Sequence, residues 1–262
     1  MNRALVTALT SIALAAPAVA QQQSTDNTFT WDGKMAAGSW LRIRNLNGSV
    51  NVDRADGDVA QVRGEKEWRR GDPRSVRFQV VKDGGNVTVC ALWDEDDRCD
   101  ETGYHSHGHH HDEDNDVSVR FTVRLPKGVR MDASTVNGGV DVRGVQAEVV
   151  ANTVNGRVDA SSTTGPVNAN TVNGSVHVRM DALTGDGGLT LSTVNGSVTA
   201  ELPAKLDAEL DLETVNGSLR TDYPLTVSGR LDPHHLRGTV GNGGRRLVVK
   251  TVNGSIELRK LS

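Results

Sequence analysis

The motif Thr-Val-Asn-Gly recurs along this chain, and internal repeats constrain a fold more strongly than other sequence features. An earlier relative is Leu46-Asn47-Gly48-Ser49-Val50, and a degenerate copy begins at Thr226. Successive full copies are 18, 18, 22, 21 and 37 residues apart. Because the longest interval contains the degenerate copy, we predict an extra, irregular turn of the array there. The full copies begin at Thr135, Thr153, Thr171, Thr193, Thr214 and Thr251.

Apolar and polar residues alternate on both sides of the motif. The positions four before, two before and five after each threonine are apolar in every full copy, whereas the position six after it is polar. This period of two is typical of β-strands with one buried face. The residues five after the threonine, for example, are Val140, Val158, Val176, Val198, Leu219 and Ile256.

Two all-β architectures fit this pattern. In a parallel β-solenoid each repeat forms one coil, and equivalent residues stack about 4.8 Å apart. In an antiparallel meander or sandwich each Asn-Gly would instead form a two-residue hairpin turn. The near-identical corners favour the solenoid, because stacked asparagine amides can bond along the array. The asparagines predicted at structural turns are Asn47, Asn137, Asn155, Asn173, Asn195, Asn216 and Asn253.

The N-terminus has the pattern of a secretory signal peptide. Residues 1–20 combine Arg3, an apolar stretch from Ala4 to Ala16, and small residues before Gln21. The apolar stretch is shorter than the roughly 20 residues that a membrane-spanning helix needs. We therefore predict cleavage after Ala20, export to the periplasm, cell surface or medium, and no transmembrane segment in the mature chain.

The mature chain is predicted to have three parts. Residues 21–28 form a flexible leader, residues 29–128 an N-terminal β-cap with the first irregular coils, and residues 129–262 the regular solenoid repeats. Alternating segments such as Trp40 to Arg44 indicate strands in the cap region. A solenoid needs such a cap to protect its end.

The charge distribution excludes one class of partner. The formal net charge is −4, and Lys and Arg are not gathered with aromatic residues, so nucleic acid is not an expected partner. Carboxylates concentrate between Asp94 and Asp116, where Arg98 is the one basic residue. Of the two cysteines, Cys90 precedes this segment and Cys99 lies near its start. In an exported protein they are expected to form a disulfide; a thiolate metal site with the neighbouring histidines is the alternative.

The acidic segment 94–116 also contains a histidine tract. Imidazoles commonly bind Zn, Cu and Ni, and carboxylates add ligands, so a transition-metal site is one interpretation. A solvated low-complexity loop and a pH sensor are the other two. The candidate metal ligands are His105, His107, His109, His110, His111, Asp112 and Asp114.

A catalytic role is not favoured. Asp141, Asp159 and His177 share one column and would lie on adjacent coils, as acid and base groups do in β-helical enzymes that cleave polysaccharides. The column continues with Thr199 and Arg220, however, which is typical of an ordinary solvated face. No phosphate-binding loop or nucleophile with a base is recognisable.

The Asn45-Leu46-Asn47-Gly48-Ser49-Val50 segment, the Thr-Val-Asn-Gly series and the ending Thr251-Val252-Asn253-Gly254-Ser255-Ile256 resemble a known family. It is the bacterial putative-adhesin family of domains of unknown function, related to the head domains of predicted autotransporter adhesins. The resemblance implies a right-handed parallel β-solenoid in an envelope or surface protein, without catalytic residues. We expect an adhesin-like binding or structural role toward an envelope protein or a glycan; transition-metal binding and glycan cleavage are the alternatives.

Overall fold

The computed structural model describes residues 21–25, 27–100, 102–106, 115–185, 187–227 and 232–261. Apart from one 3₁₀ turn, Pro73–Ser75, the regular structure in these residues is β-strand. None of their helical structure is long and apolar enough to cross a bilayer. The strands are β1 Gln21–Ser24, β2 Thr28–Lys34, β3 Trp40–Arg44, β4 Val50–Arg54, β5 Val59–Glu67, β6 Arg77–Asp83, β7 Asn86–Leu92, β8 Arg98–Cys99, β9 Tyr104–His105, β10 Ser118–Leu125, β11 Arg130–Ser134, β12 Val140–Val145, β13 Val149–Asn152, β14 Val158–Ser162, β15 Val167–Asn170, β16 Val176–Met180, β17 Leu189–Ser192, β18 Val198–Leu202, β19 Ala208–Asn216, β20 Leu219–Thr221, β21 Thr226–Val227, β22 His235–Val240, β23 Arg245–Asn253 and β24 Ile256–Lys260.

The strands form two large sheets that face each other across one core. The first sheet has the order β1-β2-β5-β10-β4-β12-β14-β16-β18-β24-β20. The second has the order β21-β22-β19-β23-β17-β15-β13-β11-β3-β7-β6. Each coil leaves the second sheet, turns at an Asn-Gly corner and enters the first sheet. Neighbouring coils pair in parallel, for example Val140 with Val158 and Ala133 with Ala151. The parallel β-solenoid is therefore confirmed, and the alternative with antiparallel Asn-Gly hairpins is wrong.

The predicted apolar columns form the core. Val158, Val176 and Val198 stack in register in the first sheet, and Val149 and Val167 do so in the second. All of these side chains are at most 1% exposed. Burying one such side chain contributes about 1.5–3 kcal/mol, so every added coil extends a continuous hydrophobic core. The column six after the threonine lies on the outer face, half-buried or exposed.

The coils do not stack in the order of the sequence. Strand β23 lies between β17 and β19, and β24 lies between β18 and β20. The Thr251 coil, last in the chain, is therefore inserted between the Thr193 and Thr214 coils, and it pairs in parallel with both. From the N-terminal end, the seven corners follow one another as Asn47, Asn137, Asn155, Asn173, Asn195, Asn253 and Asn216.

Antiparallel strands cap both ends of the parallel array. At the N-terminal end, β5 pairs antiparallel with β10 and β2. Three phenylalanine rings pack together there. The ring centroid of Phe78 lies 4.7 Å from that of Phe29 and 6.0 Å from that of Phe121. At the C-terminal end, β22 pairs antiparallel with β19. The buried Tyr223 donates its hydroxyl hydrogen to backbone carbonyls of the neighbouring turn, and burial raises its pKa to about 12.

Three expectations differ from this architecture. The degenerate copy at Thr226 does not form an extra parallel turn, because Val227 pairs antiparallel with Gly238 in the C-terminal cap. The predicted leader contains β1, which pairs antiparallel with β2. The segment assigned to the cap and the first irregular coils contains a regular coil, since β3 and β4 stack in parallel on β11 and β12. A cap strand and a coil strand share the same alternation, so the sequence pattern does not separate them.

Candidate functional site

The threonine of each motif points into the core. These threonines are 2–6% exposed, although their side chains are polar. The Thr171 hydroxyl donates to the carbonyl oxygen of Gly156 on the preceding coil at 2.8 Å, and Thr153 bonds Gly138 in the same way at 2.7 Å. This bond satisfies a carbonyl at the corner, where a buried polar group without a partner would be costly. Thr135, Thr193, Thr214 and Thr251 make the same bond to Gly48, Gly174, Gly254 and Gly196.

The glycine is needed because the coils approach very closely at the corner. A Cβ atom on Gly156 would lie 2.0 Å from the carbonyl oxygen of Gly138, and one on Gly174 would lie 2.0 Å from that of Gly156. No side chain fits in this space. Among the seven corner glycines only Gly48, at φ 114°, has a clearly left-handed backbone, so the close approach of the coils explains this column better than the backbone of a hairpin turn.

The asparagine side chains form a continuous ladder on the outside of the corner. The Nδ2 of Asn155 donates to the Oδ1 of Asn137 at 2.8 Å, and Asn173 donates to Asn155 at 2.8 Å. The same bond joins every adjacent pair of corners, at 2.8–2.9 Å. The ladder has one direction: each amide after Asn47 donates to the asparagine on its N-terminal side in the stack. The structure thus brings together all seven predicted turn asparagines.

A row of aliphatic side chains runs beside the ladder. The exposed fractions of Val154, Val172, Val194 and Val252 are 37–39%, and that of Val215 is 55%. We call this row and the asparagine ladder the aliphatic–amide edge. It carries no charged side chain over seven coils. Its aliphatic members are Leu46, Val136, Val154, Val172, Val194, Val252 and Val215, and its amide members are the seven corner asparagines in the stacking order given above.

The acidic, histidine-containing insertion lies at the N-terminal end of this edge. The strands on either side of it, β7 and β10, pair in parallel with β3 and β4 of the Asn47 coil. The insertion therefore takes the place of a Thr-Val-Asn-Gly corner in the outermost coil. At its base, Tyr104 donates its hydroxyl hydrogen to the buried carboxylate of Asp97. Burial and the charge of Asp97 raise the pKa of Tyr104 well above its usual value.

Cys90 and Cys99 are joined by a disulfide, with their Cα atoms 6.1 Å apart. Together with Leu92 they form a small second core on the outer side of β7. Val81 and Tyr104 pack against it. The disulfide thus attaches the base of the insertion to the outer face of the second sheet.

The predicted metal ligands are only in part within the described residues. His105 lies there, with its Nε2 3.0 Å from the carboxylate of Asp100. Hydrogen bonds from Thr102 and His105 lower the pKa of Asp100 strongly. His107, His109, His110, His111, Asp112 and Asp114 lie outside the described residues. Within the part of the chain that the structure describes, no three His, Cys, Asp or Glu side chains are close enough together to hold a metal ion.

The column of Asp141, Asp159 and His177 lies on adjacent coils, as its spacing predicts. The Nδ1 of His177 is 3.4 Å from Asp159, and its Nε2 is 3.6 Å from Glu201. The side chains of Asp159 and His177 are 44% and 43% exposed on an open sheet face, whereas that of Asp141 is 15% exposed and pairs with Arg143. This arrangement is an ordinary network of surface ion pairs, which contribute little energy.

A second polar cluster was not predicted from the sequence. Asp211 is buried on the second sheet, and its carboxylate lies 2.9 Å from His235 Nε2, 3.1 Å from Arg246 and 3.6 Å from Arg237. Burial opposes ionisation, but these three partners outweigh it and lower the pKa of Asp211. A shallow cavity of about 380 Å³ lies above it. Strand β22 is not part of the repeat, so the spacing of the motifs does not predict that His235 contacts Asp211.

Comparisons with known proteins find similar solved structures and one matching family. A solved structure described as a putative cell adhesion protein from Clostridium sporogenes is 8% identical, with a TM-score of 0.42, and the alignment covers 93% of this chain and 100% of that one. A putative adhesin from Bacteroides fragilis is 12% identical, with a TM-score of 0.41, over 89% and 98% of the two chains. A search of curated proteins finds no match.

The sequence model of the Toastrack DUF4097 family matches residues 116–259, which contain all six full motifs and more than half of the chain. The resemblance inferred from the motifs is therefore confirmed. The chain belongs to the Toastrack DUF4097 family.

Proposed function

We propose that this chain is a non-catalytic binding protein of the bacterial cell envelope, and that the aliphatic–amide edge binds a neutral, extended glycan. The observation that carries the proposal is the unbroken row of amides beside an exposed row of aliphatic side chains. In a chain with 24% charged residues, two adjacent columns without a charged member over seven coils are suited to an uncharged partner, with the exposed Arg157 flanking them at one corner.

The chemistry of the edge matches that of a sugar. An amide has two N–H donors and a carbonyl oxygen with two lone pairs. Each interior asparagine uses one donor and one lone pair in the ladder, so one of each remains for a ligand. The valines beside them offer apolar contact to the C–H faces of sugar rings. The ladder also fixes the amides before binding, which reduces the entropy lost on association.

An extended partner fits better than a compact one. Equivalent groups repeat along the edge at the strand spacing of about 4.8 Å, so a polymer can engage several coils at once. Linked weak contacts of this kind raise the overall affinity without any deep pocket. The names of the Clostridium and Bacteroides proteins, which refer to adhesion, agree with a role in surface binding.

The experiment measures binding of the purified protein to immobilised neutral and acidic polysaccharides. We expect binding to neutral chains. The double variant Val172→Lys/Val194→Lys should weaken this binding about tenfold or more, because charged side chains replace the apolar contacts of the row. A tenfold loss corresponds to about 1.4 kcal/mol of binding free energy. The control, Thr190→Lys/Thr199→Lys, adds the same charge to the outer sheet faces. Wild-type affinity in the edge variant, or equal weakening in the control, would show that the edge is not the binding surface. Binding to a protein of the envelope in place of any glycan would also overturn the glycan assignment.

Export is part of this proposal. The Cys90–Cys99 disulfide supports an oxidising compartment, where such bonds persist. We propose that residues 1–20 are the signal peptide and that the mature protein begins at Gln21. Mass measurement of the protein recovered from the cell envelope or the medium tests this. Recovery of the full-length chain from the cytoplasm would contradict it.

Transition-metal binding is the second candidate function. The observation that favours it is His105, which lies beside Asp100 at the start of the histidine tract. Calorimetric titration with Zn, Cu or Ni, comparing the wild type with a variant that lacks residues 105–111, tests this role. Equal heats for the two proteins would exclude it.

A further inference from the structure

We propose that Asn216 is a site of spontaneous chemical modification, by which one amide at the C-terminal end of the aliphatic–amide edge becomes a carboxylate. The reaction is deamidation through a cyclic imide. Asparagine followed by glycine is the sequence in which this reaction is easiest, since no side chain hinders the attacking nitrogen. All seven corners have that sequence, so a difference in reactivity between them must come from structure. The proposal does not depend on what the edge binds.

Six corners are protected by the stacking of the coils. The reaction requires the backbone nitrogen of the glycine to attack the side-chain carbon of the asparagine before it. At Gly156 this N–H donates to the carbonyl oxygen of Asn173 on the next coil at 3.0 Å, and at Gly196 it donates to Asn253 at 3.0 Å. The amide groups of Asn155 and Asn195 are each held by a neighbouring coil as well. The same backbone bond forms at Gly48, Gly138, Gly174 and Gly254.

Asn216 is in the last coil of the stack, and among the residues that the structure describes no further coil gives it this protection. Within the described residues, the backbone N–H of Gly217 has no hydrogen-bond acceptor. The Oδ1 of Asn216 accepts no bond there either, since the ladder ends with Asn216 donating to Asn253. Gly217 is exposed, whereas the other six corner glycines are half-buried. Three features, which share one cause in the terminal position of the coil, therefore separate this corner from the others.

The reaction needs only water and a base from the solvent. The Gly217 nitrogen loses its proton and bonds to Cγ of Asn216, while the Cγ–Nδ2 bond breaks and ammonia leaves. Water then opens the five-membered ring at one of its two carbonyl carbons, which yields aspartate or isoaspartate. No atom is oxidised or reduced. Because the attacking nitrogen must first lose a proton, the rate rises with pH.

The product changes the edge in a defined way. Asn216 donates to the Oδ1 of Asn253 at 2.9 Å, and a carboxylate has no hydrogen to donate. The terminal bond of the ladder is therefore lost. One negative charge also enters an edge whose own side chains are uncharged, so the modification is a slow, irreversible change in the electrostatics of the edge.

The test is peptide mapping by mass spectrometry of the folded protein during incubation in mildly alkaline buffer. The fractions of aspartate and isoaspartate are followed over time at each corner asparagine. We expect Asn216 to react about tenfold or more faster than Asn155, Asn173 and Asn195, because reaction at an interior corner requires a local opening of the stack. The variant Asn216→Gln identifies the signal, since it removes the product at this position alone.

A denatured sample serves as the control. In denaturant every corner loses its neighbours, so the rates at Asn155, Asn195 and Asn216 are expected to converge. Equal rates in the folded protein would overturn the proposal. A preference for Asn216 that persists unchanged in denaturant would also overturn it, because the local sequence would then be the cause.

Discussion

At the scale of single residues, each position of the Thr-Val-Asn-Gly corner has a different role. Thr bonds a carbonyl from inside, Val covers the outside, Asn links the coils through its amide, and Gly leaves room for the carbonyl of the next coil. These roles depend on the neighbouring coil, not on the local turn. The same four residues therefore recur in six of the seven coils, and in the Asn47 coil Asn45 takes the place of the threonine and donates to the carbonyl oxygen of Val119 on the neighbouring coil.

The threonine role predicts the effect of Thr171→Val. The variant keeps the shape of the side chain but removes the donor to Gly156, and a buried carbonyl without a partner costs about 1–3 kcal/mol. We expect a loss of this size in the free energy of unfolding, measured by chemical denaturation. Thr171→Ser retains the hydroxyl and should lose less. If the valine variant were as stable as the wild type, the hydrogen bond would have no net role in stability.

The glycine role predicts a large effect of Gly156→Ala. A methyl group there would lie 2.0 Å from the Gly138 carbonyl oxygen, so the coils must separate. We expect a loss of more than about 3 kcal/mol, beyond that of most single substitutions. The matched control is Gly57→Ala, because a Cβ at Gly57 meets no atom within 4 Å. Its stability is expected to change by no more than about 0.5 kcal/mol, and similar losses in the two variants would contradict the close-packing account.

The sequence predicts some of these roles and not others. The apolar columns and the stacking of asparagine follow from period and repetition alone. The direction of Thr and Val does not, because the corner interrupts the alternation that assigns faces in a strand. The reason for Gly is also hidden, since the atom that would clash belongs to a residue 18 positions away.

At the scale of elements, the caps differ from the coils in how they are held. A coil is repeated, so its contacts can be predicted from its neighbours. The C-terminal cap is held by unrepeated contacts, among them the ion cluster in which Asp211 on β19 meets His235 on β22 and Arg246 on β23. Its strand pairing is antiparallel and is not part of the period that the motif sets.

The ion cluster predicts a pH-dependent contribution to stability. The pKa of Asp211 is lower in the folded protein than its usual value of 3.8, so ionised Asp211 stabilises the fold above that value, and the contribution is lost as the pH falls through the folded pKa. We expect Asp211→Asn to be less stable than the wild type at pH 7, with the difference shrinking below about pH 4. Denaturation at several pH values measures this. The exposed Asp56→Asn is the control, and a difference independent of pH would contradict the assignment.

At the scale of the whole molecule, the C-terminal strands lie inside the stack of coils and not at its end. The coil that contains β19 and β20 does not pair with the coil that contains β17 and β18. The strands β23 and β24 lie between these two coils and pair with both. The final coil therefore contacts a neighbour on both sides, whereas a solenoid built in sequence order would leave it at the end. The C-terminal segment is central to the core, not peripheral.

The stacking order is the part of the fold that the sequence does not predict. All full copies of the motif carry the same corner, and any of them can stack on any other. The long interval of 37 residues indicates an irregularity there but does not say where the next coil lies. Only the lengths of the connections and the fit of the caps choose between alternative orders.

Cysteine pairs in the valine row test the stacking order directly. Equivalent residues on neighbouring coils are about 4.8 Å apart, which is within the Cα separation of about 4.4–6.8 Å that a disulfide allows. Equivalent residues separated by two coils are about 10 Å apart, which is too far for a disulfide. We predict that Val194→Cys/Val252→Cys and Val215→Cys/Val252→Cys form an added disulfide under oxidising conditions, detected by mass spectrometry, and that Val194→Cys/Val215→Cys does not. Cross-linking of Val194→Cys/Val215→Cys, with none in the other two variants, would show that the coils follow the sequence order and would contradict the account.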